Sequence, residues 1–413
     1  MRWARAATAA AILCAAVLTG CEATAADAGP RFVVSQNPSV EWQPIGIRLT
    51  ALPPGGRVAI TASVRAGAVW TSRADYAVPA DGVVDLSTQA PLDGPFQGAD
   101  GMGLFWSLRS ASGAPATSEE TWGAATQTVV LTAAVDGRRV ATTRVVRVGL
   151  ADAVPSHVVV DGGITATYFQ PSTSSEGLRP AVLVFDGTDG GDSNGALAAS
   201  RLAAVGYPAL ALSTYGTAGQ LGLSRSLPAE RFLAALDWLG AQPGVDPRRI
   251  FTFGTSRGAQ LALWAAVQYP DRVYGAIAPA GTTGLICSSP IPSPAVTIGG
   301  GWVPCLSGTH VVTRAAVLDL SRITGPIVLG CAGRDEQLDN ACEWMAAGEK
   351  ARGHRVDDEF VSAPDATHLF YLPPYWPLDL PAAPYAQPTE EARVALWKAI
   401  QAALLAPSSV PGR

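Results

Sequence analysis

The second part of the chain alternates short apolar runs with helical patterns, and this alternation constrains the fold more than any other feature. It begins after Pro155 and continues almost to the end of the sequence. The predicted strands are Ala181–Phe185, Pro208–Leu212, Ile250–Phe253, Val273–Ala278, Ile327–Gly330 and Val356–Val361. The predicted helices are Gly195–Val205, Ala229–Leu239, one beginning near Arg257, Ala341–Arg352 and Glu390–Leu405. Continuous apolar strands between helices predict a mostly parallel sheet covered on both faces, here over residues 151–407.

The first part of the chain, residues 31–150, has a different rhythm. Its β-like runs are Arg57–Val64, Gly103–Leu108, Thr128–Val135 and Arg139–Val148. The dipeptide Asp136-Gly137 lies between the last two and favours a hairpin turn. Several short strands without helical periodicity predict an all-β, immunoglobulin-like sandwich of about a hundred residues.

The N-terminus carries an export signal. Arg2 and Arg5 precede the apolar run Ala6–Val17, which is short for a membrane span but typical of a secretory signal peptide. Residues 18–21 (LTGC) resemble the lipobox of bacterial lipoproteins. We therefore expect residues 1–20 to be removed, Cys21 to be acylated and residues 21–30 to tether the protein to the cell membrane. The alternative is an ordinary signal peptide with an incidental cysteine.

Four cysteines follow Cys21. They are Cys287, Cys305, Cys331 and Cys342. In an exported chain they can form two disulfides with three possible connectivities, and we favour the pairs that are near in sequence. Their spacing matches no zinc pattern, so we predict no metal site. The net charge of −5 and the lack of a basic run argue against a nucleic-acid partner.

The sequence GTSRG at residues 254–258 is the strongest chemical signal. It follows the predicted strand Ile250–Phe253 and precedes an Ala- and Leu-rich helix. A nucleophile elbow needs this context, because the glycines allow a tight strand-to-helix turn that exposes the central serine. Ser256 is the predicted nucleophile.

A serine nucleophile needs a base, and the chain has four histidines. His157 precedes the α/β core, His310 lies in the Gly- and Pro-rich stretch 281–320, and His354 follows a predicted helix. Only His368 lies beyond the last predicted strand, where an α/β hydrolase delivers its base. The competing interpretation is an ordinary loop histidine.

The base in turn needs a carboxylate. Asp335 follows the strand Ile327–Gly330, and a side chain at the carboxyl end of a parallel strand faces the same crevice as its neighbours. The order Ser, Asp, His is the α/β-hydrolase order. Glu336 and Asp339 are the alternatives if the turn is misplaced.

The oxyanion of an acyl-transfer intermediate needs hydrogen-bond donors. We expect one from the backbone N–H of Arg257 and another from the loop DGTDGG at residues 186–191, where Thr188 and Asp189 are the candidates. A glycine-rich loop can also bind phosphate, but no dinucleotide or Walker pattern is present. The aromatic segment Leu369–Pro377 either lines an acyl pocket or packs in the core. The stretch 281–320 is a candidate lid.

With these residues in place, the chain resembles the family of acyl-CoA thioesterases and bile acid-CoA:amino acid N-acyltransferases. The resemblance runs from about residue 31 to about residue 405. Its motifs are LPPG at 52–55, WTSRADY at 70–76, GVVDL at 82–86, GMGLFWS at 101–107, FDGTDGG at 185–191, the elbow and GPI at 325–327.

The resemblance implies a β-sandwich followed by an α/β-hydrolase domain. It also implies a triad at Ser256, Asp335 and His368, with no cofactor. In this family a serine nucleophile goes with thioester hydrolysis and a cysteine with transfer to an amine, so Ser256 indicates hydrolysis of fatty acyl thioesters through an acyl-enzyme.

Export conflicts with an acyl-CoA substrate, because CoA esters are scarce outside the cytoplasm. A second hypothesis is therefore an extracytoplasmic carboxylester hydrolase or acyltransferase that uses the same triad. A third is a non-catalytic lipoprotein whose sandwich binds a partner. The first two require a small-molecule ester or thioester as partner, and all three place the protein at the membrane through its lipid anchor.

Overall fold

The computed structural model describes residues 29–110, 126–171, 177–187, 193–214, 226–287, 293–377 and 383–407. The predicted signal peptide, Cys21 and most of the tether lie outside these ranges. Within them, no helix combines the length and apolar character needed to cross a membrane.

Residues 31–153 form mostly antiparallel β-structure. The strands are β1 (Arg31–Val34), β2 (Ser39–Val40), β3 (Ile47–Thr50), β4 (Arg57–Ala66), β5 (Ala68–Ala77), β6 (Val84–Asp85), β7 (Arg109–Ser110), β8 (Gln127–Val135) and β9 (Arg138–Val148); the helices are α1 (Gly103–Trp106) and α2 (Leu150–Ala153). One sheet has the strand order β2-β9-β8-β4-β5-β7, and a smaller one has the order β1-β3-β6. Buried side chains of both sheets form one core, as in a sandwich. We call this part the β-module.

The hairpin between β8 and β9 turns where the sequence predicts it. Asp136 has φ 50° and Gly137 has φ 74°. Positive φ at both central residues is the type I′ conformation that matches the twist of the flanking strands.

The predicted strand Gly103–Leu108 is wrong. Residues 103–106 form the short helix α1, and all four are buried. The Asp100 carboxylate explains the turn, because it accepts the Met102 N–H at 2.8 Å and the Trp106 indole N–H at 2.7 Å. A short apolar run does not distinguish a strand from a buried helical turn, and here the contacts of Asp100 decide it.

Residues 156–405 form the α/β part. Its strands are β10 (Ser156–Asp161), β11 (Ile164–Phe169), β12 (Arg179–Phe185), β13 (Ala209–Leu212), β14 (Leu227–Pro228), β15 (Val245–Gly254), β16 (Gly275–Pro279), β17 (Val296–Ile298), β18 (Gly301–Trp302), β19 (Ile327–Arg334) and β20 (Glu359–Thr367). Its helices are α3 (Ser193–Ala204), α4 (Ala229–Gly240), α5 (Arg257–Gln268), α6 (Ala341–Arg352) and α7 (Ala386–Leu405), with 3₁₀ turns at Leu320–Arg322, His368–Tyr371 and Ala383–Tyr385.

Eight of these strands form the central sheet, in the order β10-β11-β13-β12-β15-β16-β19-β20. Strands β10 and β11 are antiparallel to their neighbours, and the other six are parallel. This is an α/β-hydrolase sheet, so the predicted fold class is confirmed. The chain order reverses at β12, between β13 and β15, and ligands bind at such a point beside the carboxyl ends of the strands.

Both faces of the central sheet are covered, which explains its continuous apolar strands. Along β12, Leu183 and Phe185 belong to the core under α4, α5 and α6, whereas Val182 and Val184 belong to the core under α3 and α7. Alternation along the strand therefore carries two apolar faces.

The β-module and the α/β part share a buried contact. Leu372, Trp376 and Ala386 pack with the core of the β-module. The side chain of Gln387 at the start of α7 accepts the Gln97 N–H at 2.8 Å and donates to the Gln97 carbonyl at 3.0 Å.

Candidate active site

The elbow around Ser256 lies between β15 and α5. Ser256 is half-buried and has φ 53° and ψ −122°, a conformation that is strained for a residue with a side chain. Strain of this kind is expected where a strand turns sharply into a helix and presents its nucleophile above the sheet.

The two glycines of the elbow are required by close backbone contacts. A Cβ atom on Gly258 would lie 2.6 Å from the Asp186 carbonyl oxygen, and one on Gly254 would lie 2.1 Å from the Gly258 carbonyl oxygen. Both distances are far below van der Waals contact. The GTSRG spacing thus reflects how tightly the turn packs against the end of β12.

Asp335 and His368 are brought together at the carboxyl ends of β19 and β20. His368 Nδ1 lies 2.8 Å from Asp335 Oδ2 and 2.9 Å from Oδ1, and both side chains are buried. Asp335 Oδ1 also accepts the N–H groups of Gln337 and Leu338 at 2.9 and 2.8 Å. These bonds fix the carboxylate, which then orients the imidazole.

The two alternative acids lie elsewhere. Asp339 is exposed. Glu336 contacts the backbone of the histidine instead of its ring, since Glu336 Oε2 accepts the His368 N–H at 3.1 Å. The sequence suggested Glu336 only as a substitute acid, and no local pattern indicates that it binds this main-chain group.

Ser256 and His368 line the same cavity, which has a volume of about 320 Å³. The structure has no hydrogen bond between the Ser256 hydroxyl and His368, and such bonds are often long before substrate binds. Because Asp335 occupies Nδ1, Nε2 is the ring nitrogen available to exchange a proton with Ser256.

One of the predicted oxyanion donors, the N–H of Arg257, lies at the cavity. Arg257 lines the cavity and begins α5, and first-turn N–H groups project from the N-terminus of a helix. Gly187 follows β12 and lies beside the elbow: a Cβ atom added to it would lie 3.9 Å from Ser256 Cβ. Thr188 and Asp189, the predicted second donors, lie outside the described residues.

The stretch 281–320 forms part of the cavity wall through Ile286, Cys287 and Thr309. Gln260, one turn after the nucleophile, accepts the Ile286 N–H at 2.6 Å and donates to the Ile286 carbonyl at 3.3 Å. A disulfide joins Cys287 to Cys305. The stretch is thus tied to α5 beside the site.

A second disulfide joins Cys331 on β19 to Cys342 on α6. It closes the segment that carries Asp335 and Glu336. Both disulfides are the sequence-near pairs that we favoured, and their Cα–Cα distances are 5.1 and 5.0 Å.

The other three histidines do not line the cavity. His157 is on β10 and contacts the rings of Tyr168 and Trp238, while His310 and His354 are exposed. The aromatic segment Leu369–Pro377 packs in the core and contributes no lining residue to the cavity as described.

Known proteins match both parts of the chain. Residues 42–161 match the acyl-CoA thioester hydrolase/BAAT N-terminal region, and residues 226–297 match the prolyl oligopeptidase family. Mouse (Mus musculus) acyl-coenzyme A amino acid N-acyltransferase 1 is 26% identical over 84% of this chain and 88% of its own length. Rat (Rattus norvegicus) mitochondrial acyl-coenzyme A thioesterase 2 is 25% identical over 81% of this chain and 78% of its own.

Among solved structures, a putative dienelactone hydrolase from Klebsiella pneumoniae is 20% identical, with a TM-score of 0.42 over 61% of this chain and 97% of its own. The sheet and the elbow make the protein an α/β hydrolase. In sequence it is similar to acyl-CoA thioesterases and acyl-CoA amino acid N-acyltransferases, as the motifs indicated.

Proposed function

We propose that this protein is a serine hydrolase that cleaves fatty acyl thioesters through an acyl-enzyme on Ser256. The observation that carries the proposal is the buried Asp335–His368 pair, whose histidine lines the same cavity as the strained Ser256. The names of the two relatives support an acyl thioester as substrate. The family resemblance, in which a serine nucleophile goes with hydrolysis, favours hydrolysis over transfer.

The reaction has two half-reactions. Ser256 Oγ attacks the thioester carbonyl while His368 Nε2 takes its proton, and the Arg257 N–H stabilises the oxyanion. The C–S bond then breaks, and the leaving thiolate receives the proton from His368. Water, deprotonated by His368, then attacks the acyl-Ser256 ester; the bond from the acyl carbon to Ser256 Oγ breaks, Oγ takes the proton back from His368, and the fatty acid is released. Asp335 stabilises the imidazolium in both steps.

The test compares substrates in protein produced without residues 1–30. Hydrolysis of medium- and long-chain acyl-CoA is measured beside matched p-nitrophenyl esters, with Ser256→Ala as the variant. We expect a preference for the thioester and loss of turnover in folded Ser256→Ala. Turnover that survives in this variant contradicts the assignment of the nucleophile.

We further propose that the protein is exported and anchored through acylated Cys21. The predicted signal supports this, and so do the two disulfides, which persist in oxidising compartments and are rare in the cytosol. Cys21→Ser should release the protein from membranes. Unchanged membrane attachment contradicts lipidation at this residue.

Export also favours a second candidate, an extracytoplasmic carboxylester hydrolase or acyltransferase with the same triad. Ester cleavage without thioester preference supports the ester hydrolase. Product formation that depends on an added amine supports the acyltransferase.

A further inference from the structure

Helix α7 holds the main chain on both sides of His368. On the N-terminal side, Thr389 Oγ1 accepts the N–H of Thr367, the residue before His368, at 3.0 Å. On the C-terminal side, the Arg393 guanidinium donates to the Leu372 carbonyl at 3.2 Å and to the Trp376 carbonyl at 3.0 Å.

Glu390 completes this arrangement. One carboxylate oxygen accepts the Tyr375 N–H at 2.7 Å, and the other accepts from Arg393 Nη1 at 2.7 Å. Tyr375 has φ 74°, a left-handed conformation that persists only where surrounding contacts impose it. Thr389, Glu390 and Arg393 are all at least 96% buried, so water does not replace these bonds easily.

The segment that α7 contacts, residues 367–376, contributes little to the cavity beside Ser256. Phe370, Leu372 and Trp376 are buried in the core, and of residues 367–376 only His368 lines the cavity as described. The contacts of α7 therefore reach the site through the position of the histidine. Asp335 and Glu336 bind His368 as well, at its ring and at its N–H.

We propose that Thr389, Glu390 and Arg393 are positioning residues that hold His368 against Ser256 and Asp335. We call these three residues the helix clamp. This inference rests on the proposed function, since it assigns the clamp to the base of that reaction. A base displaced by about 1 Å loses on the order of a hundredfold in rate, so small changes in the clamp should have large effects.

Thr389 offers the sharpest test because two substitutions separate its hydroxyl from its volume. Thr389→Val keeps the shape but leaves the Thr367 N–H without its acceptor, whereas Thr389→Ser keeps the hydroxyl and loses a methyl group. Lys398→Gln, on the exposed face of α7, is the matched control. Glu390→Gln keeps an acceptor for Tyr375 but removes the charge opposite Arg393.

Three quantities are measured for each folded variant: the rate of Ser256 labelling by a fluorophosphonate, kcat and KM for a p-nitrophenyl ester, and the melting temperature. We expect Thr389→Val to lower labelling and kcat by about 10- to 100-fold with KM changed less than about threefold. Thr389→Ser should stay within about threefold of wild type, and Glu390→Gln should fall between them. Lys398→Gln should not differ from wild type.

A purely structural role predicts another pattern. In that case Thr389→Ser is at least as harmful as Thr389→Val, and the activity of each variant follows its folded fraction; this result overturns the clamp. Labelling requires an activated Ser256 but no thioester. Wild-type protein that is labelled without cleaving acyl-CoA contradicts the proposed substrate and still permits the comparison. Wild-type protein that is not labelled contradicts the triad and the clamp together.

Discussion

Ser256 and His368 line one cavity, but the chain fixes them in different ways. Ser256 is held by a strained turn whose two glycines, Gly254 and Gly258, lie within two residues of it, although Gly258 itself meets the distant carbonyls of Phe185 and Asp186. His368 is held by side chains that are distant in sequence. Asp335 precedes it by 33 residues, and Thr389 contacts Thr367 across 22 residues.

The difference shows how the nucleophile elbow and the segment that carries the catalytic base depend on the rest of the fold. The elbow leaves a short sequence pattern, because glycine is required on both sides of Ser256, and the packing that requires Gly258 comes from the end of β12. The position of His368 depends on its contacts with Asp335 and Glu336 and on the contacts that α7 makes with the neighbouring main chain. Substitutions at the elbow glycines should therefore abolish activity. Substitutions at the distant contacts of His368 should displace the base slightly and lower activity in proportion.

The largest effect is expected from Gly258→Ala. The added Cβ would lie 2.6 Å from the Asp186 carbonyl oxygen and 2.9 Å from that of Phe185, so the elbow must move. Overpacking of this kind costs about 1–3 kcal/mol of stability, and we expect activity to disappear with it. Thermal unfolding and esterase assays check this. Gly56→Ala, where the nearest atom is 3.8 Å away, is the matched control; near-wild-type activity in Gly258→Ala would show that the elbow is adaptable.

The next effect is expected from Asp335→Asn. The amide preserves the size of the side chain but favours the wrong tautomer of His368, which in a triad lowers kcat by about 10⁴-fold. Melting temperature should change little. Asp339→Asn, in an exposed position four residues later, controls for charge, and equal losses in the two variants would remove the distinction between these acids.

The two disulfides should separate positioning from substrate binding. Loss of Cys331–Cys342 frees the segment that carries Asp335, so we expect kcat to fall about tenfold, with a loss of stability of about 3 kcal/mol for this loop length. Loss of Cys287–Cys305 alters the cavity wall and should raise KM instead. Alanine replacements of each pair, assayed side by side, test this. Identical changes in kcat and KM for both pairs would contradict it.

The smallest effect concerns the pH dependence of stability. Burial raises the pKa of Glu390 from 4.5 to about 7, although Arg393 and the Tyr375 N–H lower it and Asp100 raises it. The folded protein then binds this proton more tightly than the unfolded chain. The stabilising contribution is thus present below about pH 4.5 and is lost as the pH rises through about 7.

Glu390→Gln should flatten this part of the profile. Urea unfolding between pH 4.5 and 8 measures it, with Glu391→Gln on the exposed side of the same turn as the control. A steeper decline in Glu390→Gln than in wild type would reverse the assigned sign.

Most secondary structure and the site residues were predictable where the signal is local. The helix α6 occupies the predicted residues 341–352, and the six parallel strands of the central sheet overlap their predicted positions, whereas β10 and β11 were not among the predicted strands. The prediction of a strand at Gly103–Leu108 was wrong because the conformation of these residues depends on the Asp100 carboxylate. The helix clamp was not predicted at all, because Thr389, Glu390 and Arg393 look like ordinary members of a terminal helix.

The sequence by itself determined the two-part fold, the elbow at Ser256 and the order of the three candidate catalytic residues, because periodicity and glycine spacing act over a few positions. Only the tertiary structure decided that Asp335, and not Glu336 or Asp339, binds the imidazole. It also decided that α7 contacts the main chain on both sides of His368. Those choices depend on which carboxylates and carbonyl groups meet when β19, β20 and α7 pack together. Buried polar groups must find partners, and their partners lie far apart in the chain.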